Sequence, residues 1–248
     1  MQTVFRTEHL SLGFGDRQLF SELSMELQAG SSLAVVGANG SGKSTFVKTL
    51  LGLNTPLSGR IDWPLGYPST VGYLAQLTEF DREFPIRVRD LVAMGRWPQL
   101  GLLGRLNPAA RDQVEEAMEL VGMSHLANRS LHRLSGGELQ RTLFARVVLQ
   151  DAPLIILDEP FAAVDQTTEA HLLTLIDAWR EQGRAIVLVV HDLSSVLDHC
   201  THALLLGAET ATFGTVDEVL TPERLVAQRY MSESQAAWMF DAGRATRG

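Results

Sequence analysis

Apolar and polar residues alternate over residues 3–8 and 21–28, and Leu23, Met25 and Leu27 fall on one face. That period-two pattern predicts half-buried antiparallel strands. Leu12-Gly13-Phe14-Gly15-Asp16-Arg17 between them reads as a turn. The alternation then gives way to wholly apolar runs, Leu33–Val36, Leu154–Leu157 and Ala185–Val190, the pattern of strands covered on both faces in a parallel sheet. Shorter strands are expected near Arg60–Trp63, Val71–Ala75 and Ala203–Leu206, and Thr55–Gly59 reads as a turn. From about Leu77 to Gln150 helical spacing dominates. Val114, Ala117, Met118 and Val121 recur on one stripe, Asp90–Met94 is helical, and Trp97-Pro98 with Gly101 and Gly104 interrupts the pattern. A long helix is expected to start after Ser135 and run through Leu149, and a second buries Leu172, Leu175, Ile176 and Trp179 before Gly183. The predicted architecture is an α/β core with a mainly parallel sheet and an N-terminal antiparallel β subdomain. An α-helical subdomain, at about 77–150, is inserted into that core, since no Pro/Ser/Gly-rich linker flanks it. Residues 1–230 form one domain, followed by a tail over 231–248 that carries Trp238 and Phe240.

Composition narrows the partners. The chain of 248 residues is 45% hydrophobic, enough to bury a core. Its 21 basic and 29 acidic residues leave a formal charge of −8, which disfavours tracking of a nucleic-acid backbone. No apolar run approaches the roughly 20 residues of a membrane-spanning helix. Met1–Arg6 lacks a signal-peptide pattern, and Cys200 is the single cysteine. A cytoplasmic protein is expected, one that reaches any membrane through a partner. His199 and His202 are three residues apart, but a strand starts at once, so the pair reads as a helix-to-strand junction rather than a metal site.

The chemistry begins at Gly37-Ala38-Asn39-Gly40-Ser41-Gly42-Lys43-Ser44-Thr45, which follows an apolar strand and opens a helix over Phe46–Leu51. Strand, glycine loop and helix are the context that a G-x-x-x-x-G-K-[ST] phosphate loop requires. Its backbone N–H groups and the helix N-terminus cradle anionic oxygens, Lys43 adds a point charge for the β- and γ-phosphates, and Ser44 can ligate Mg²⁺. Leu134-Ser135-Gly136-Gly137-Glu138 offers a second helix N-terminus. Ser135 and Glu138 have the capping-box spacing, and a capped end can still present its N–H groups to a phosphate. Asp158-Glu159 closes an apolar strand at the edge where open α/β sheets bind ligands. Adjacent strand residues point to opposite faces, so the two carboxylates are expected to do different jobs, one at the magnesium shell and one at the attacking water. His191 stands at the same edge after the next apolar run. Phe14, flanked by two glycines, reads equally as a stacking platform for a base and as a plug under a hairpin. Gln76 alone reads as polar surface.

Taken in order, the set resembles the nucleotide-binding subunit of an ABC transporter over essentially the whole chain. The matching stretches are the Walker A loop Gly37–Thr45, the Q-loop Gln76, the signature Leu134–Arg141 and the Walker B strand Leu154–Asp158 followed by Glu159. The D-loop Ala163-Val164-Asp165 and the switch His191 complete the set. The resemblance implies a P-loop NTPase core that binds and hydrolyses ATP with Mg²⁺. By that resemblance Lys43 and the loop amides hold the phosphates, and Ser44 and Gln76 ligate Mg²⁺, with Asp158 supporting its water shell. Glu159 would polarise the attacking water, His191 contact the γ-phosphate and Phe14 stack on adenine. Ser135, Gly136 and Gly137 would reach the nucleotide of a second copy in a head-to-tail homodimer. The stretch Phe84–Arg96 is similar to importers for zinc, manganese and chelated iron, and Leu100-Gly101-Leu102-Leu103-Gly104 agrees with the zinc/manganese branch. That implies a peripheral subunit on the cytoplasmic face of the plasma membrane. Its partners would be an integral membrane permease and, indirectly, a periplasmic or extracellular solute-binding protein, with no nucleic acid. Two departures from the family pattern are Ala162-Ala163 in the D-loop, where serine is common, and Leu139 in the signature. Competing readings are a soluble ABC-type ATPase that moves no solute and a P-loop kinase. The missing second cassette disfavours the first, and the Leu-Ser-Gly-Gly helix start disfavours the second.

Overall fold

The computed structural model describes residues 2–15, 17–100, 106–193 and 197–236; within these, the side chains of Phe14, Pro98 and Leu100 are left aside. The expectations placed on Gly101–Gly104, Trp238 and Phe240 lie outside the described residues. In chain order the main elements are β1 (Thr3–Phe14), β2 (Arg17–Gln28), β3 (Ser32–Gly37), α1 (Lys43–Leu50), β4 (Ser58–Asp62) and β5 (Val71–Leu74). There follow α2 (Val88–Ala93), α3 (Trp97–Leu100), α4 (Pro108–Leu120), α5 (Gly136–Gln150), β6 (Leu154–Asp158) and α6 (Gln166–Glu181). The chain continues through β7 (Ala185–Val189), β8 (His202–Leu206), β9 (Ala211–Thr215), α7 (Val216–Val219) and α8 (Pro222–Ala227). It divides into two compact units, residues 1–66 with 187–248, and residues 67–186.

In the first unit, β1 and β2 form a hairpin to which β4 adds on the free edge of β1, all antiparallel. The hairpin turn is tighter than the glycines around Phe14 suggest. Leu12 pairs with Phe20 and Phe14 with Arg17, so ladder pairing continues through the stretch read as a turn. Repeated register shifts along β1 absorb the irregular positions, and one of them brackets His9, whose φ is 47°. Phe5, Leu10, Phe20 and Leu27 are fully buried, and the Phe5 ring packs 5.4 Å from that of Trp63. In the same unit β3 is buried along its length and runs parallel to β8, to which β9 adds antiparallel. Gly52, at φ 72°, follows the end of α1, as a C-terminal glycine should. His202 opens β8, with Nδ1 sharing a hydrogen bond with the Thr201 hydroxyl at 2.9 Å and its ring stacked 5.4 Å from Phe213.

In the second unit β5 and β6 pair in parallel, and the helices pack against one another around α5. Leu139, Leu143, Phe144 and Val147 form the buried stripe of α5, and the Phe144 ring lies 6.3 Å from Trp179 of α6. Truncating one of these fully buried rings costs about 3–5 kcal/mol. On α6 the residue buried beside Leu172, Ile176 and Trp179 is Leu173; Leu175, expected there, is half-buried. Asp165 caps α6 by accepting from the Thr168 amide at 2.9 Å. The strand β7 begins in this unit and ends in the first.

Candidate nucleotide site

The first unit carries the glycine loop between β3 and α1. Gly42 precedes α1 at φ 109°, a conformation that L side chains rarely adopt, so glycine is required where the chain turns into the helix. Lys43, 7% exposed, folds back under the loop and donates to the carbonyls of Gly37 at 2.7 Å and Ala38 at 3.1 Å. Its ammonium is held where the helix N-terminus adds positive potential. The Ser41 hydroxyl is buried in the same loop and has no hydrogen-bond partner among the described residues. An orphaned buried hydroxyl in the same glycine loop that holds the Lys43 ammonium, at a helix N-terminus, fits an anionic ligand such as a phosphate chain. A cavity of about 830 Å³ opens over Ala38, Asn39, Gly40 and Ser41 and is edged by Arg17 and Arg229. Phe14, at the end of β1, pairs with Arg17 across the hairpin, so its backbone stands one ladder step from that edge. His191 lies in the same unit, exposed and just past β7, and lines a second cavity with Gly37, Ala38 and Asn39. Ser44 is half-buried at the first turn of α1 and Thr45 is buried.

The second unit carries the carboxylates, Gln76 and the glycine-rich helix start. Asp158 ends β6 and is 3% exposed. Glu159 follows at φ 52°, in the left-handed region, so the strand alternation stops there. The expectation that the two carboxylates point to opposite faces fails for this reason. Instead both converge on one amide: Gln76 Nε2 donates to Asp158 Oδ1 at 3.3 Å and to Glu159 Oε1 at 2.9 Å. Gln76, unremarkable in sequence, thus holds the two acids together from the end of β5. Burial, reinforced by the nearby Asp158 charge, pushes the Tyr73 hydroxyl up to about 12.

The start of α5 has the expected capping box. Glu138 N–H donates to the Ser135 hydroxyl at 3.2 Å, and Ser135 N–H donates to Glu138 Oε2 at 2.7 Å. The Ser135 backbone bond, joined by its hydroxyl and by Arg129 and Arg141, holds the Glu138 carboxyl below its ordinary value. Gly136 and Gly137 are glycine for a steric reason. A Cβ at Gly137 would stand 2.8 Å from the Ala163 carbonyl oxygen, and one at Gly136 would stand 2.8 Å from the Ala163 Cβ. Ala163, itself at φ 61°, therefore packs its backbone directly on the helix start. Ser135, Gly136, Gly137, Ala163 and Asp165 line a small cavity of about 270 Å³.

A loop–helix phosphate cradle, a buried Asp158 and half-buried Glu159 tied by Gln76, and a capped glycine helix start now have defined geometry. The profile of the ABC transporter family matches residues 20–162, more than half of the chain. The chain belongs to the ABC transporter family. It is an ATP-binding subunit of that family and an ATPase. The ABC ATPase is 35% identical over 222 residues to the manganese transport system ATP-binding protein MntB of Bacillus subtilis, covering 88% of this chain and 89% of that one. It is 33% identical to the zinc transport system ATP-binding protein TroB of Treponema pallidum, over 88% of this chain and 84% of that one. In three dimensions it is similar to a chain of a metal-chelate type ABC transporter in an inward-facing conformation. That match has a TM-score of 0.79 and 29% identity, and covers 93% of this chain and 90% of that one.

Two residues of this ABC ATPase escaped the sequence reading. Gln140 is fully buried on α5, and its amide donates to the carbonyls of Glu159 at 3.2 Å and Pro160 at 2.7 Å. It anchors the backbone just where Glu159 leaves the strand. The available signal is a glutamine on an otherwise apolar helix face. Arg82 donates to the Leu134 carbonyl at 2.6 Å, holding the residue before Ser135 from 52 positions away. No local pattern marks that contact.

Proposed function

We propose that this ABC ATPase drives a membrane importer for manganese or zinc, with chelated iron as the third member of the substrate class. The observation that carries the reading is identity of about one third, along nearly the whole chain, to ATP-binding proteins of manganese and zinc transport systems. Residues 1–230 act as one ATP-binding domain with a helical subdomain at about 77–150, and 231–248 is a tail. The chain carries one phosphate loop and one Ser135–Gly137 helix start. Two complete sites then need a head-to-tail homodimer in which each site is shared. The motor works at the cytoplasmic face, docked on an integral permease that receives solute from a binding protein. Among the described residues no helix is long and apolar enough to cross a membrane, so a separate permease is required by this reading.

Within each site Lys43 and the amides of Gly37–Thr45 hold the β- and γ-phosphates. Ser135, Gly136 and Gly137 of the second copy bring a helix N-terminus to the same phosphates. Phe14 stacks on the adenine. Ser44 and Gln76 would hold Mg²⁺ through side-chain oxygens, with Asp158 supporting its water; oxygen donors of this kind suit a hard cation, which would neutralise charge on the phosphates. Glu159 orients and polarises the attacking water, and Gln140 and Gln76 fix its backbone and carboxylate. His191 contacts the γ-phosphate. Little covalent work falls to the protein, so positioning and electrostatics carry the rate.

Glu159→Gln tests the reading. ATP still binds, turnover drops by about a hundredfold or more, and the variant accumulates as an ATP-bound dimer. Wild-type turnover by that variant removes Glu159 from the role. Deleting the chain from its source cell lowers cell-associated manganese or zinc, measured by mass spectrometry of the elements. Unchanged metal content, with no membrane protein co-purifying, supports the solute-independent ATPase instead.

A further inference from the structure

The described C-terminal residues return to the phosphate-loop edge of the first unit. Helix α8 ends at Ala227, and Arg229 takes φ 54°, reversing the chain. The Arg229 and Tyr230 amides close that turn on the carbonyls of Val226 and Leu225, both at 2.9 Å. Ser232 and Gln235 then bond each other's side chain and backbone, and Ala236 is buried, so the segment is a built turn. Its product is the position of Tyr230, whose hydroxyl donates to the backbone carbonyl of His191. Tyr230, Met231 and Gln235 form one wall of a cavity of about 650 Å³, and Gly37, Asn39 and His191 form the other.

His191 sits one residue beyond Val190, whose amide still donates to Val35 at 3.3 Å. The strand β7 itself ends at Val189, two residues before His191. The direction of the imidazole depends on the peptide planes around it, and a bond to the residue's own carbonyl restrains those planes. We propose that Tyr230 is a positioning residue for His191, so that the turn after α8 sets how well the switch histidine meets the γ-phosphate. Burial, with Asp192 adding to it, pushes the Tyr230 hydroxyl up to about 12. The phenol therefore keeps its proton, and the donor is present throughout the neutral range. Nothing in this role needs Tyr230 to touch nucleotide. It rests on the part assigned to His191 under the proposed function.

The test is a two-residue cycle in the full-length protein, read as steady-state ATP hydrolysis with Mg²⁺. Tyr230→Phe keeps the ring and loses the donor. It lowers kcat about two- to tenfold, the equivalent of one hydrogen bond, while KM and the melting temperature stay near wild type. His191→Ala lowers kcat further, and adding Tyr230→Phe to it changes nothing more, since the tyrosine acts through the histidine. Tyr230→Phe with wild-type kcat overturns the proposal. So does an equal fold-loss in the His191→Ala background, which would mean a route independent of the histidine. If His191→Ala itself turns over normally, the role of His191 falls and this inference falls with it. If His191→Ala is slow and Tyr230→Phe is not, only the tyrosine's part is lost.

Discussion

Lys43 and Gly137 show what single residues contribute. The Lys43 ammonium is buried and bonded to two loop carbonyls, so it holds the loop's shape as well as carrying charge. Lys43→Ala is expected to weaken ATP binding about tenfold or more, measured by titration with a fluorescent nucleotide; unchanged affinity would exclude the phosphate-loop role. Gly137→Ala acts elsewhere. Its Cβ would meet the Ala163 carbonyl oxygen at 2.8 Å, and backbone on backbone has no flexible group to yield. The helix start or the Ala163 backbone must shift, so turnover should fall while nucleotide affinity of the isolated chain holds. Equal loss of both would place the damage in general stability. Lys43 was legible because it answers a local demand of its loop; Gly137 was legible as part of a glycine-rich helix start, while the Ala163 backbone that requires it lies beyond any local pattern. The convergence of Asp158 and Glu159 on Gln76 was not, because it depends on a positive φ at Glu159 that no neighbouring residue signals.

Among elements, α5 is the clearest case of a helix read correctly from its first four residues. Ser135 and Glu138 satisfy each other's amides within one turn, so the start is decided by chemistry that never leaves the segment. Ser135→Ala should cost about 1 kcal/mol in urea unfolding. The Glu138 carboxyl titrates below its ordinary 4.5 in the folded chain, its bond from the Ser135 amide being the largest cause. Its contribution is therefore complete above pH 4.5 and is lost as pH falls through the depressed folded value. Glu138→Gln should lower stability at neutral pH and flatten the acid limb of a stability-against-pH curve. A limb as steep as wild type would show that the carboxylate does not sense folding. The β1–β2 hairpin went the other way. Its glycines suggested a turn from Leu12 to Arg17, yet the ladder pairs Leu12 with Phe20 and Phe14 with Arg17. Cross-strand bonds between residues eight apart outweighed the local turn preference.

For the whole molecule, the proposed shared site makes association a consequence of nucleotide. Glu159→Gln with ATP and Mg²⁺ should run at twice the mass of one chain in light scattering and return to single mass in ADP. A variant that stays single in ATP would argue against the head-to-tail dimer. The charge of −8 should also make the proposed association salt-dependent, since added salt screens the repulsion between two acidic protomers.

The sequence by itself determined the strands that are apolar throughout, the phosphate loop in its strand–helix context, the capped start of α5 and the family. Each depends on residues a few positions apart, where period, side-chain type and backbone preference act together. Tertiary structure alone decided which distant groups meet. Gln76 ties Asp158 to Glu159, Gln140 pins the backbone after them, Arg82 holds Leu134, and Tyr230 reaches the His191 carbonyl. These contacts span up to 83 positions, and a hydrogen bond between distant residues leaves no period or motif in the chain. It exists only once packing has brought donor and acceptor within about 3 Å of each other.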